Sequence, residues 1–138
     1  MTIAILGAGA FGAALAATLG RVGNVVLWGR NQTGRQIARL PGVDLPEKVS
    51  VTAKIADTDT AELVLLALPM QTLSAFVAEH AARLAGRPLV ACCKGVDLDS
   101  GLGPVEILGR LNGPAPAVLT GPSFAADIAI GLPTALTL

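Results

Sequence analysis

Gly7-Ala8-Gly9-Ala10-Phe11-Gly12 stands between an apolar run, Ile3-Ala4-Ile5-Leu6, and an alanine-rich stretch, Ala13-Ala14-Leu15-Ala16-Ala17. This order is a strand, a glycine turn and a helix start. The first glycine permits the tight turn, the second lets backbone approach an anionic group with no side chain between, and the third lets the helix lie close against the strand. Amides at the helix start, reinforced by the helix dipole, then attract negative charge such as a pyrophosphate. Glycine-rich turns without a ligand also show this spacing, so the rest of the chain has to decide.

Further apolar runs recur with helical stretches between them, which predicts an α/β domain with a doubly wound, Rossmann-type, mostly parallel sheet. Strands are expected at Thr2 to Leu6, Asn24 to Trp28, Lys48 to Thr52, Leu63 to Leu68, Leu89 to Cys93 and Ala117 to Thr120. Helices are expected at Ala10 to Leu19, around Gln32 to Leu40, over a stretch with apolar Leu73, Phe76, Val77 and Leu84, around Pro104 to Leu111, and at Phe124 to Ile130. The 138 residues fit a single domain spanning the whole chain. Its last residues, Thr134 to Leu138, alternate like a strand that leads nowhere, so the reading is of a domain truncated at its C-terminal end, with Leu136 and Leu138 on an unpaired apolar edge that promotes self-association.

Ten basic and ten acidic residues balance. No basic cluster marks a nucleic-acid track or an anionic membrane patch, and no apolar stretch reaches the roughly 20 residues that span a bilayer, so small-molecule partners and a cytoplasmic location are expected. Cys92 and Cys93 are neighbours in an apolar run and read as reduced packing residues. No metal-ligand cluster is present in the sequence pattern.

In an open parallel sheet, ligands bind beyond the carboxyl ends of the strands. After the second strand comes Gly29-Arg30-Asn31, where an NAD-binding domain usually has a carboxylate for the ribose 2′-hydroxyl. A guanidinium there can pair with a 2′-phosphate, which points to NADP(H) with NAD(H) also accepted; a solvated loop arginine is the plain alternative. Lys94 follows the fifth strand, where its ammonium could hold a substrate oxygen or a phosphate, or simply be an exposed lysine. Gly121-Pro122-Ser123 follows the sixth, and Ser123 is expected to cap the next helix while its hydroxyl stays compatible with binding. Asp97 and Asp99 read as turn or capping residues, and His80, expected mid-helix, has no partner for proton transfer.

The blocks GAGAFGAALA (7–16), VVLWGRN (25–31), LPGVDLP (40–46), ALP (67–69), CKGVD (93–97) and GPSFAADIAIGLPTALTL (121–138) together resemble the amino-terminal part of the bacterial-type NAD(P)-dependent sn-glycerol-3-phosphate dehydrogenases. The resemblance implies an oxidoreductase that interconverts sn-glycerol 3-phosphate and dihydroxyacetone phosphate and supplies glycerophospholipid synthesis. It implies that Lys94 contacts cofactor and substrate, that Gly121 and Ser123 contact substrate, and that Gly7, Gly9, Ala10, Phe11, Gly12, Arg30, Pro69 and Ala125 belong to the dinucleotide site. Met70 departs from the serine often found after the family's proline. The resemblance also implies a helical second half that contributes the proton-accepting lysine, allows a homodimer, and leaves this chain able to bind cofactor weakly without turnover. The competing readings are a stand-alone nucleotide-sensing regulatory domain, against which Arg30 argues, and another two-domain dehydrogenase such as a ketopantoate reductase, against which Lys94-Gly95 with GPSFA argues.

Overall fold

Short runs that are apolar at successive positions have both faces to bury, and they do so by pairing side by side under helices. In the computed structural model, which describes residues 1–32, 34–36 and 40–138, five such runs and an alternating edge strand, Val49–Thr52, form one parallel sheet. They are β1 (Thr2–Leu6), β2 (Asn24–Trp28), β3 (Val49–Thr52), β4 (Leu63–Leu66), β5 (Leu89–Ala91) and β6 (Ala117–Val118), in the order β3-β2-β1-β4-β5-β6. The helices are α1 (Ala10–Leu19), α2 (Met70–Glu79), α3 (Ala81–Leu84), α4 (Pro104–Leu108) and α5 (Ala125–Ile130). Strand order reverses where β1 pairs β4, with Ile3 opposite Leu63 and Leu6 opposite Leu66. The connections leaving those two strands part to opposite faces, which opens a crevice beyond their carboxyl ends. The doubly wound α/β fold expected from the sequence is the fold observed.

The strand period of two sorts the core into two clusters. Ile3, Ile5, Val25, Leu27, Leu65 and Val90 face the helix pair α1 and α5, and Ala4, Leu6, Trp28, Val64, Leu66 and Ala91 face α2 to α4. On α1 the buried side is Gly12, Ala13, Ala14, Ala16 and Ala17 with Leu15, so this helix approaches the sheet closely. Thr18 Oγ1 and Arg21 Nη2 donate to the carbonyls of Ile128 and Ala129 at 3.1 and 3.2 Å, so α1 and the turn that follows it satisfy the last turn of α5 and place a cation at its negative end.

Several expected boundaries shift. The strand read as Leu63 to Leu68 stops at Leu66, because Pro69 flanks the start of α2 at Met70. The fifth and sixth strands end at Ala91 and Val118 rather than Cys93 and Thr120, and α4 ends at Leu108 rather than Leu111. His80 is not mid-helix: it sits at a break between α2 and α3, with φ −112° and ψ 19°. A 3₁₀ turn at Ile55–Thr58 had no sequence signal. The helix expected around Gln32 to Leu40 falls partly on Thr33 and residues 37–39, which lie outside the described residues. The terminal run is also paired, contrary to expectation. Thr137 and Thr120 exchange N–H···O bonds of 2.9 and 2.7 Å in an antiparallel bridge, and Leu136 packs against the core, leaving Leu138 exposed.

Candidate nucleotide-binding site

The turn after β1 is held from three sides. Gly7 has φ +121°, a conformation that side chains rarely adopt, and a Cβ there would lie 2.3 Å from the Ala67 carbonyl oxygen. Its N–H donates to the Trp28 carbonyl at 2.9 Å. A Cβ on Gly12 would lie 1.9 Å from the Gly7 carbonyl oxygen, so the third glycine is what lets α1 sit down on the turn. A Cβ on Gly9 would meet nothing within 4 Å. That open side of the second glycine faces solvent rather than protein.

α1 begins without a capping side chain, and its first intrahelical bond runs from the Ala13 N–H to the Gly9 carbonyl at 2.9 Å. By helix geometry the amides of Ala10, Phe11 and Gly12 precede that bond and need an outside acceptor. With the positive end of the helix dipole behind them and free space above Gly9, they fit a pyrophosphate.

The turn forms one wall of a crevice of about 540 Å³. Gly29 to Gln32 after β2 form a second wall and Ala67 to Pro69 after β4 a third, with Cys92 also lining it. Arg30 is its only charged lining residue, is exposed, and makes no hydrogen bond or ion pair among the described residues. The structure thus brings Gly7, Gly9, Ala10, Phe11, Arg30 and Pro69 together around one opening, with Gly12 packed beneath it. Ala125 is placed elsewhere: it is half-buried against the α1 side of the core and does not line the crevice.

Lys94 and Gly121, expected to share a site, are joined directly, since Lys94 Nζ donates to the Gly121 carbonyl at 2.9 Å. Lys94 is exposed and lines a neighbouring hollow of about 360 Å³ with Gly103 to Glu106 and Thr120. Ser123 corrects the sequence reading. It does not cap α5, whose N-terminal flanking residue is Phe124 with no side-chain cap; its Oγ donates to the Ala135 carbonyl at 2.9 Å and accepts from Thr134 Oγ1. The terminal segment that closes on the Gly121 loop has captured that hydroxyl. Asp97 is a buried turn residue as read, its carboxylate accepting from the Ser100 amide and hydroxyl at 3.0 and 2.5 Å.

Sequence reasoning treated both cysteines as packing residues and missed that Cys92 reaches the crevice. The signal was there, because the residue just past a strand at the switch side of the sheet borders the ligand space. Burial pushes the Cys92 thiol up to about 12, with Cys93 adding to the rise, so the crevice presents it as a neutral, inert group. Among the described residues no group of His, Cys, Asp or Glu could hold a metal ion.

The sequence pattern of the N-terminus of NAD-dependent glycerol-3-phosphate dehydrogenase matches residues 2–138. The chain belongs to that family. A glycerol-3-phosphate dehydrogenase [NAD(P)+] of Cereibacter sphaeroides is 58% identical over 99% of the chain and 43% of its own length. The corresponding Ruegeria protein is 51% identical over 100% of the chain and 46% of its own length. The crystal structure of glycerol-3-phosphate dehydrogenase from Coxiella burnetii superposes with a TM-score of 0.87 at 29% identity, covering 98% of this chain and 45% of that one. The chain therefore spans less than half the length of the glycerol-3-phosphate dehydrogenases it matches.

Proposed function

We propose that this chain is the dinucleotide-binding part of a cytoplasmic, homodimeric glycerol-3-phosphate dehydrogenase that interconverts sn-glycerol 3-phosphate and dihydroxyacetone phosphate for glycerophospholipid synthesis. The observation that carries the reading is the crevice at the β1/β4 reversal, where uncapped α1 amides, an open Gly9 and an exposed Arg30 face one space. Membership of the family favours this over a stand-alone sensor or a ketopantoate reductase. The α1 amides and Gly9 receive the pyrophosphate, Arg30 receives a 2′-phosphate when NADP(H) binds, and Pro69 bounds the adenosine side. The nicotinamide supplies the hydride chemistry.

Lys94 holds the reacting oxygen of the substrate by a charge-assisted hydrogen bond, exchanging its contact with the Gly121 carbonyl for that oxygen; one such donor is worth roughly 3 kcal/mol of transition-state stabilisation. The glycine loop at Gly121 and Ser123 borders the substrate. The one carboxylate that lines the hollow with Lys94, Glu106, accepts from the Gly103 N–H at 2.8 Å as part of the α4 cap, and we expect this chain to bind cofactor without turnover. Titrating it with NADPH and NADH, with and without sn-glycerol 3-phosphate, tests the assignment. NADPH binding that glycerol 3-phosphate strengthens, and that Lys94→Ala makes indifferent to glycerol 3-phosphate, is the expected result; tight binding with no response in the wild-type chain supports the sensor reading instead.

A further inference from the structure

Lys94 must be aimed, and its own flexible stem does not do that. The segment that follows it is a stiff unit: the Asp97 N–H donates to the Leu102 carbonyl at 2.9 Å, the Gly101 N–H to the Asp97 carbonyl at 2.8 Å, and the Asp97 carboxylate holds Ser100. A rigid loop still needs a tie that fixes it against the sheet. Gln71, in the first turn of α2, supplies two. Its Nε2 donates to the Val96 carbonyl at 2.9 Å, and its Oε1 accepts from the Leu98 N–H at 2.9 Å. One carboxamide thus pairs with alternate residues of the loop as a neighbouring strand would, and only a group with both donor and acceptor can do so. Among the described residues no other hydrogen bond joins α2 to this loop.

The tie lies between the two parts of the site. Gln71 is two residues from Pro69, which lines the crevice, and the loop it holds begins at Lys94, whose ammonium reaches on to the Gly121 carbonyl. A lateral chain of hydrogen bonds therefore crosses the carboxyl ends of β4, β5 and β6. We propose that Gln71 is a positioning residue that fixes the Lys94 loop against the cofactor-lining turn, so that filling the crevice is felt at the Lys94 ammonium. This rests on the nucleotide-binding reading above.

The test uses the whole chain, wild type and with Gln71→Met, which keeps the length and loses both bonds, and Gln71→Glu, which keeps only the acceptor. The chain has three lysines, Lys48, Lys54 and Lys94, so the side-chain 15N resonances read through the Cε protons give three signals, with Lys94 assigned by its loss in Lys94→Arg. In the wild type, NADPH shifts the Lys94 signal and leaves Lys48 and Lys54 in place. Gln71→Met abolishes that shift, speeds exchange of the Leu98 amide by up to about tenfold, and changes the NADPH dissociation constant by less than about threefold. Gln71→Glu retains Leu98 protection and part of the shift. A Lys94 response in Gln71→Met equal to the wild type overturns the proposal. A wild-type chain that does not bind NADPH overturns the functional reading instead, and Leu98 exchange together with the resting Lys94 position then judges the tie alone.

Discussion

The glycine turn contains two positions whose replacement by alanine separates folding from binding. In most helices Gly→Ala stabilises by about 0.5–1 kcal/mol, because alanine loses less backbone freedom. Gly12 is a helical position, yet its added Cβ would lie 1.9 Å from the carbonyl oxygen of Gly7, and contacts below 3.0 Å are not tolerated. Both partners are fixed by backbone, so no rotamer relieves the clash and α1 must retreat from the turn by roughly 1 Å. Ala13, Ala14, Ala16 and Ala17 are essentially fully buried against the sheet, and a gap of that size forfeits about a quarter to a half of each contact's attraction. Overpacking of this kind costs about 1–3 kcal/mol, which exceeds the helix-propensity gain and leaves a net loss of roughly 1–2 kcal/mol. For a domain of this size that lowers Tm by about 3–10 °C.

Gly9→Ala has the opposite outcome. Its Cβ meets nothing within 4 Å and its φ of −75° suits alanine, so the cost is confined to the helix cap, under about 1 kcal/mol. The methyl group projects into the space where the pyrophosphate would sit, and NADPH affinity falls at least about tenfold while the melting curve moves little. Trp28, the sole tryptophan, is 6% exposed and donates its indole N–H to the Ala53 carbonyl at 3.1 Å, so its fluorescence reports unfolding without an added probe. A Gly12→Ala chain that melts at or above the wild-type temperature would refute the close-approach argument and hand the decision to helix propensity.

Replacing Arg30 with alanine should weaken NADPH binding about tenfold and leave NADH within about twofold, since the exposed guanidinium makes no hydrogen bond among the described residues; equal losses for both nucleotides in fluorescence titrations would remove its role in discrimination. Burial keeps Cys92 protonated in the folded chain up to about pH 12, whereas the unfolded thiol ionises near pH 9. The unfolded state therefore binds fewer protons above pH 9, and stability falls by up to about 1.4 kcal/mol per pH unit between those values. Urea unfolding at pH 8 and 10.5 should show that fall, and Cys92→Ala should reduce it. Thr137→Pro removes the N–H that donates to the Thr120 carbonyl at 2.7 Å, and should expose the Gly121 loop to limited proteolysis with a loss of about 1–3 kcal/mol; an unchanged digestion rate would show the terminal bridge to be inconsequential.

What the sequence discloses follows how far each feature reaches along the chain. β1, α1 and β2 begin and end at the residues read from glycine and alanine spacing, because their signals lie within a few residues of each boundary. The crevice was legible for the same reason: Gly7, Gly9, Ala10, Phe11, Arg30 and Pro69 each sit just past an apolar run, and a parallel sheet gathers those positions at one edge. The misreadings come from partners far away. Ser123 was read as a helix cap on local grounds, but its hydroxyl donates to the Ala135 carbonyl, twelve residues on. The α2–α3 break at His80 accompanies the Arg83 to Asp59 ion pair and a fully buried Leu84, contacts that periodicity within the helix cannot express. Leu136 looks exposed while its neighbours are counted along the chain, and is half-buried once Thr137 pairs with Thr120. Gln71 is the strongest case. An exposed polar residue in a first helical turn carries no pattern of its own, and its meaning arises only because β4 and β5 are neighbours, which sets its amide opposite Val96 and Leu98. Local chemistry therefore marks the crevice beyond β1 and β2, and the strand order decides which residues reach the Lys94 loop.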